Sequence, residues 1–237
     1  MAAINVIRQK QAVHVISDGA FCDNAGIVCE IGPNAFALPH LPAALAIRGS
    51  THFMPFLVHR LSRECQSFDE LLAKVARAAY EVHGSFPMAF GTLGYGAIEP
   101  DFDLVVAGWS RLQGTSASYL VSSHDRVIGP GLTANPWQLL ELPDVLIAPP
   151  VAEKQITATD WKVPYSAESF RPHTDGLALV KAQRLSRREP DPRFPMQGFL
   201  HVVGGFIQVT SVSSSGVNSE ILHWWPDKVG RKIELQS

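Results

Sequence analysis

Three cysteines, several histidines and a few charged clusters are the residues whose chemistry could matter in this 237-residue chain. Cys22 and Cys29 would be nucleophiles if His14 or His40 came beside one of them as a base. Buried structural cysteine is the commoner fate of such residues. Ser17 stands next to Asp18 but has no evident base. His52 and His59 lie seven apart, whereas a helical metal site wants i, i+4 spacing or a nearby carboxylate. No metal and no cofactor is expected. GTLGYG (91–96) holds three glycines without the GxGxxG pattern and opens no helix, so it reads as a loop rather than a phosphate cradle. RLSRREPDPR (184–193) concentrates Arg184, Arg187, Arg188 and Arg193, but Glu189 and Asp191 dilute it, and it reads as a solvated helix end. Arg187 and Arg188 stay candidates for contact with a partner. Trp224 and Trp225 are adjacent, so on a strand one ring faces inward and the other outward. The outward one, next to Pro226, is a candidate interface anchor.

Composition sets the frame. Hydrophobic residues make up 46% and charged residues 18%, enough for a substantial core. A net charge of −2 gives no electrostatic case for nucleic acid or an anionic membrane. An odd cysteine count without CxxC argues against a disulfide framework. No basic segment followed by an apolar run stands at the start, so no signal peptide is expected. AFALPHLPAALAI (35–47) is interrupted by Pro39, His40 and Pro42 and falls short of a membrane span. A soluble, cytoplasmic protein is the expectation.

The elements that must position these residues follow from periodicity. Residues 3–8 and 12–17 are apolar runs separated by Arg8, Gln9, Lys10 and Gln11, which predicts a strand pair. A glycine-rich loop or ragged hairpin covers 19–33. AFAL (35–38) and PAALAI (42–47) predict buried strands. STHFMPFLVHRLSREC has apolar residues at helical spacing with Pro55 in the first turn. SFDELLAKVARAAYEVHG predicts a second helix, with Ser67 and Glu70 as capping box and Gly84 as its end. Strands return at 102–111, 116–123 and 126–129. WQLLEL (137–142) reads as a short helical turn, and the proline-rich residues 143–173 as an irregular insertion. A helix is expected over 175–189 and a last strand pair turning near Ser215 and Gly216. Strands, two helices, strands, one helix and strands together predict an α+β fold, a four-layer αββα sandwich, in one domain over 1–237.

That order, and residues 2–49 in particular, resembles the N-terminal-nucleophile hydrolases of the proteasome β-subunit and HslV peptidase type. The resemblance implies a nucleophile at the start of the first strand, an Asp-Gly closing the second, a lysine opening the third and a glycine after the fourth. Here those places hold Ala2, Asp18 with Gly19, Asn34 and Gly49. Alanine has no heteroatom with which to attack, and neutral asparagine cannot supply a lysine's field. A degenerate, non-catalytic site is therefore expected, with no catalytic residue assigned. The resemblance further implies oligomerisation, hence a homo-oligomeric structural or assembly component. A looser similarity to proteasome-like proteins of phages and prophages points to a virion or tail. The alternative is an active amidohydrolase or peptidase with a non-standard nucleophile.

Overall fold

The computed structural model describes residues 2–90, 101–129, 131–151, 156, 161, 166–188 and 199–235, with side chains up to residue 85 in the first of these ranges. Its first strands are β1 (Ile4–Arg8), β2 (Ala12–Asp18), β3 (Ala20–Cys22), β4 (Val28–Ile31), β5 (Ala35–Leu38) and β6 (Ala43–Gly49). Helices α1 (Met54–Glu64) and α2 (Phe68–Phe90) come next. Strands β7 (Phe102–Ser110), β8 (Thr115–Ser122), β9 (Arg126–Gly129), β10 (Leu132–Ala134), β11 (Leu139–Glu141) and β12 (Val145–Ala148) follow. The chain closes with α3 (Leu177–Leu185), β13 (Phe206–Ser213) and β14 (Gly216–Trp224).

Two five-stranded antiparallel sheets face each other, in the orders β12-β1-β2-β13-β14 and β11-β8-β7-β6-β5. The alternation of side chains decides what lies between them. Ile4, Val6, Val13 and Val15 of the first sheet meet Ala44, Ala46, Val105, Ala107 and Leu120 of the second. Ile7 and Ile16, of opposite parity, pack outward with α3, Trp161 and Phe170. Strands buried on both faces need apolar residues at every position, which explains why their sequences run rather than alternate.

On the outer face of the second sheet, α1 and α2 bury Leu57, Leu61, Leu71, Val75 and Ala79 against Leu45, Ile47, Leu104 and Val106. The Ser67 hydroxyl accepts the Glu70 N–H at 3.2 Å, and the Glu70 carboxylate accepts the Gln66 N–H at 3.1 Å, so the expected cap forms one residue wider than a standard box. Gly84 does not end α2, which continues to Phe90. A left-handed residue is what terminates a helix at glycine, and Gly84 has no such backbone.

The four-layer αββα sandwich is not what forms. Among the described residues the chain is mostly antiparallel sheet with three helices, and only α1 and α2 pair into a layer. The opposite face is covered by the nine-residue α3, its wide lead-in turn Pro172–Gly176, and non-helical chain carrying Ile156, Trp161 and Phe170. One short helix cannot cover a five-stranded sheet. Two local readings also change. Leu139–Glu141 is a strand paired with β8 rather than a helical turn. Within 143–173, Val145–Ala148 forms the edge strand against β1.

Candidate functional site

At the start of β1 the two side chains, Ala2 and Ala3, are methyl groups, both buried. The Ala3 N–H donates to Asp18 Oδ1 at 2.8 Å, and the Gly204 N–H donates to Asp18 Oδ2 at 2.8 Å. Asp18 is fully buried and ties the first strand to the loop before β13. Asn34, at the start of the β5 region, donates through Nδ2 to the Asp18 backbone oxygen at 2.7 Å and to Oδ1 at 3.3 Å. No cation pairs with this carboxylate among the described residues. Burial pushes the Asp18 carboxyl up to about 7, against the Gly204 and Ala3 hydrogen bonds that pull it down. The structure thus brings Ala2, Asp18 and Asn34 into one neighbourhood, arranged around backbone anchoring.

Gly49 ends β6 at φ +94°, and a Cβ there would overlap the Asp101 carbonyl oxygen. Only glycine accepts both conditions. One residue earlier, Arg48 shares the parity of Ala44 and Ala46 and points between the sheets. It opposes Asp103, which opposes Ser122 on the next strand. The Asp103 carboxylate accepts from Ser122 Oγ at 3.0 Å and pairs with Arg126 Nη1 at 2.5 Å. Arg48 is left with neither hydrogen bond nor ion pair among the described residues, and its Nε is buried. Burial, with Arg126 adding repulsion, draws its guanidinium down to about 10. Arg48, Asp103 and Arg126 line a cavity of about 260 Å³ whose other walls include Ile4, Ile128 and Leu146. The sequence reading missed this charged row. Its signal was present, since Arg48 in LAIRG and Asp103 in FDLVV are charges at inward positions of apolar strands.

The remaining candidates disperse. Both ring nitrogens of His14 are engaged, by Ser211 Oγ at 2.8 Å and Gln9 Oε1 at 3.0 Å, and burial lowers its pKa to about 4. His40 contacts the Ser62 carbonyl. Burial raises the Cys22 thiol to about 12, Cys65 is in the helix core and Cys29 is exposed. Ser17 is fully buried. Among the described residues there is no group of three His, Cys, Asp or Glu placed to hold a metal, and no helix long and apolar enough to cross a membrane. GTLGYG and Arg193 lie outside the described residues. Arg184 is buried and forms a bidentate pair with Asp227, at 2.7 and 2.8 Å, so it leaves the basic cluster. Arg187 is exposed and Arg188 half-buried. Trp224 is 61% exposed at the end of edge strand β14, while Trp225 packs beneath the Arg184 guanidinium, 4.5 Å from its ring centroid. A second cavity, of about 570 Å³, lies outside the sheets between Pro55, His59, Arg63 and Val82 on the helices.

Facing antiparallel sheets with a paired helix layer make a proteasome-related fold by likeness to solved structures. Solved structures of Anbu share it. A mutant of Anbu from Hyphomicrobium sp. strain MC1 matches with TM-score 0.55 and 9% identity, over 94% of this chain and 87% of that one. Anbu, an ancestral beta-subunit, from Yersinia bercovieri matches with TM-score 0.56 and 8% identity, over 93% of this chain and 87% of that one. At such identity the likeness shows the fold alone. It also corrects the resemblance drawn to the HslV peptidase, because the structural likeness runs to Anbu, a distinct proteasome-related group. A strand followed by Asp-Gly is a common local turn pattern and does not discriminate among folds. No family model matches the sequence, and no curated protein does.

Proposed function

We propose that this chain is a non-catalytic protein of proteasome-related fold, acting over residues 1–237 as one unit in a homo-oligomer or larger protein assembly. The observation that carries the reading is the pair of methyl side chains, Ala2 and Ala3, at the place where the leading strand meets Asp18. A hydrolase of this design needs a hydroxyl or thiol there, activated by a nearby base. Asn34 stands beside Asp18 without charge. Substitute nucleophiles find little support: Ser17 is fully buried, and the Cys22 thiol, raised to about 12, stays protonated. Assembly is supported by the description of one structural neighbour as a beta-subunit and by exposed Trp224 and Ile221 on β14, a sheet edge with no further strand beside it among the described residues. Arg187 and Arg188 are the charged residues proposed to flank such a contact. A role in a phage virion or tail rests on the sequence resemblance alone.

The test combines intact-mass spectrometry after incubation with a peptide epoxyketone and light scattering at micromolar concentration. No covalent adduct and a mass of several subunits are expected. A stoichiometric adduct on a residue of the cleft, or a strict monomer, overturns the proposal.

A further inference from the structure

The cavity beside Arg48 holds an imbalance that the fold leaves unresolved. A buried or half-buried guanidinium is normally paired, because desolvation without compensation is expensive. Arg126 has Asp103. Asp103 spends its other oxygen on Ser122. Asp18, the remaining acid close enough for Arg48 to feel, is committed to the N–H groups of Ala3 and Gly204. Two guanidiniums and one available carboxylate therefore face the same space, an excess of one positive charge. The rest of the wall is apolar, supplied by Ile4, Val105, Leu120, Ile128, Leu146 and Pro149.

We infer that this cavity binds a small apolar carboxylic acid, its carboxylate on Arg48 and its hydrocarbon body against the wall between the sheets. A guanidinium fork matches a carboxylate through two parallel N–H donors, and the pair is stronger where water is excluded. One surplus charge suits a monoanion better than a phosphate dianion, and the hydrocarbon wall gives a bare inorganic anion nothing to bury. A cavity of about 260 Å³ takes roughly nine heavy atoms at the ~30 Å³ that a water occupies in the liquid. Hexanoate fits that size. The site uses neither Ala2 nor the β14 edge, so it stands independently of the assembly reading.

Calorimetric titration of the full chain with hexanoate, 1-hexanol and inorganic phosphate tests it. Hexanoate should bind saturably at one site per chain, with hexanol about tenfold weaker because it lacks the charge-assisted pair. Phosphate should neither bind nor compete. Arg48→Gln should weaken hexanoate about tenfold or more while leaving the melting temperature at or above that of the parent, since an unpaired charge is removed. Val127 lies on the lip of the cavity and is 76% exposed. Val127→Glu should therefore repel hexanoate without disturbing the fold, which keeps the test alive if Arg48→Gln fails to fold. No saturable uptake of hexanoate overturns the inference. So do equal binding of hexanol, tighter binding of phosphate, or unchanged affinity in Val127→Glu.

Discussion

Asp18 works here as a structural clasp whose ionisation the fold opposes. Burial pushes its carboxyl up to about 7 in the folded chain, against 3.8 as its ordinary value, outweighing the backbone hydrogen bonds that pull it down. Between about pH 4 and 7 the folded state holds a proton that the unfolded chain has released. The stability this group contributes is therefore complete below pH 4 and is lost as pH rises through 7. Asp18→Asn should remove that component of the slope, read by urea denaturation at pH 5, 6 and 8. At pH 5 it should lower stability by roughly 1–3 kcal/mol, since its amide NH2 cannot accept one of the two N–H groups. That deficit should shrink by pH 8, where the parent has lost the Asp18 contribution. Asn34→Lys should act differently, placing an ammonium beside Asp18 and moving the decline to lower pH. Adding Ala2→Thr to Asn34→Lys is expected to yield no peptide hydrolysis in a fluorogenic assay, because Asp18 and its backbone donors remain in their clasping arrangement.

At the scale of elements, the start of α2 is fastened to the β7–β8 turn rather than merely capped. Asp69 accepts from Ser110 Oγ at 2.5 Å and from the Arg111 and Leu112 N–H groups at 3.2 and 3.4 Å. Phe68 beside it lies flat over Gly108 of β7, where any Cβ would overlap the ring. Asp69→Ala strips three donors of their acceptor and should cost about 1–3 kcal/mol in denaturant unfolding. Ser67→Ala, which loses the cap alone, should cost about 1 kcal/mol. The sequence made Ser67 legible through its spacing to Glu70. Nothing in the spacing of Asp69 indicated a partner some forty residues away. Gly84 misled for a different reason: glycine ends a helix only where the chain turns left-handed, and the backbone at Gly84 does not.

The whole molecule is closed by a polar knot that links its beginning to its end. Asn5 on β1 and Gln183 on α3 exchange two side-chain hydrogen bonds, at 2.9 and 2.8 Å, and both are fully buried. Asn5 Oδ1 also accepts the Ala148 N–H at 3.2 Å, and Gln183 donates to the Pro149 carbonyl at 2.7 Å. Next to it, Arg184 joins Asp227 and covers Trp225. Asn5→Ala and Gln183→Ala should each lower stability by about 1–3 kcal/mol, with the double variant losing less than the sum, because each single change strands the other amide. Arg184→Ala should be worse, about 3–5 kcal/mol, as it leaves Asp227 buried without its partner. Trp224→Lys tests the outer surface instead: light scattering should show smaller particles with an unchanged melting transition.

The sequence by itself determined which segments would be strands and which helices wherever a single periodicity ran long enough to bury one face. That covers β1, β2, β5, β6, α1, α2 and the closing β13–β14 pair, together with the methyl side chains before Asp18. Only the tertiary structure decided that Leu139–Glu141 and Val145–Ala148 become sheet edges, since a three- or four-residue apolar run carries no period of its own and takes the hydrogen bonds its neighbour offers. It also decided that Arg184 is interior while Arg187 is not, that Trp225 is covered while Trp224 is exposed, and that Arg48 meets Asp103 and Arg126. Such pairings depend on strand register and on distances across the sheets, which local spacing along a chain does not encode.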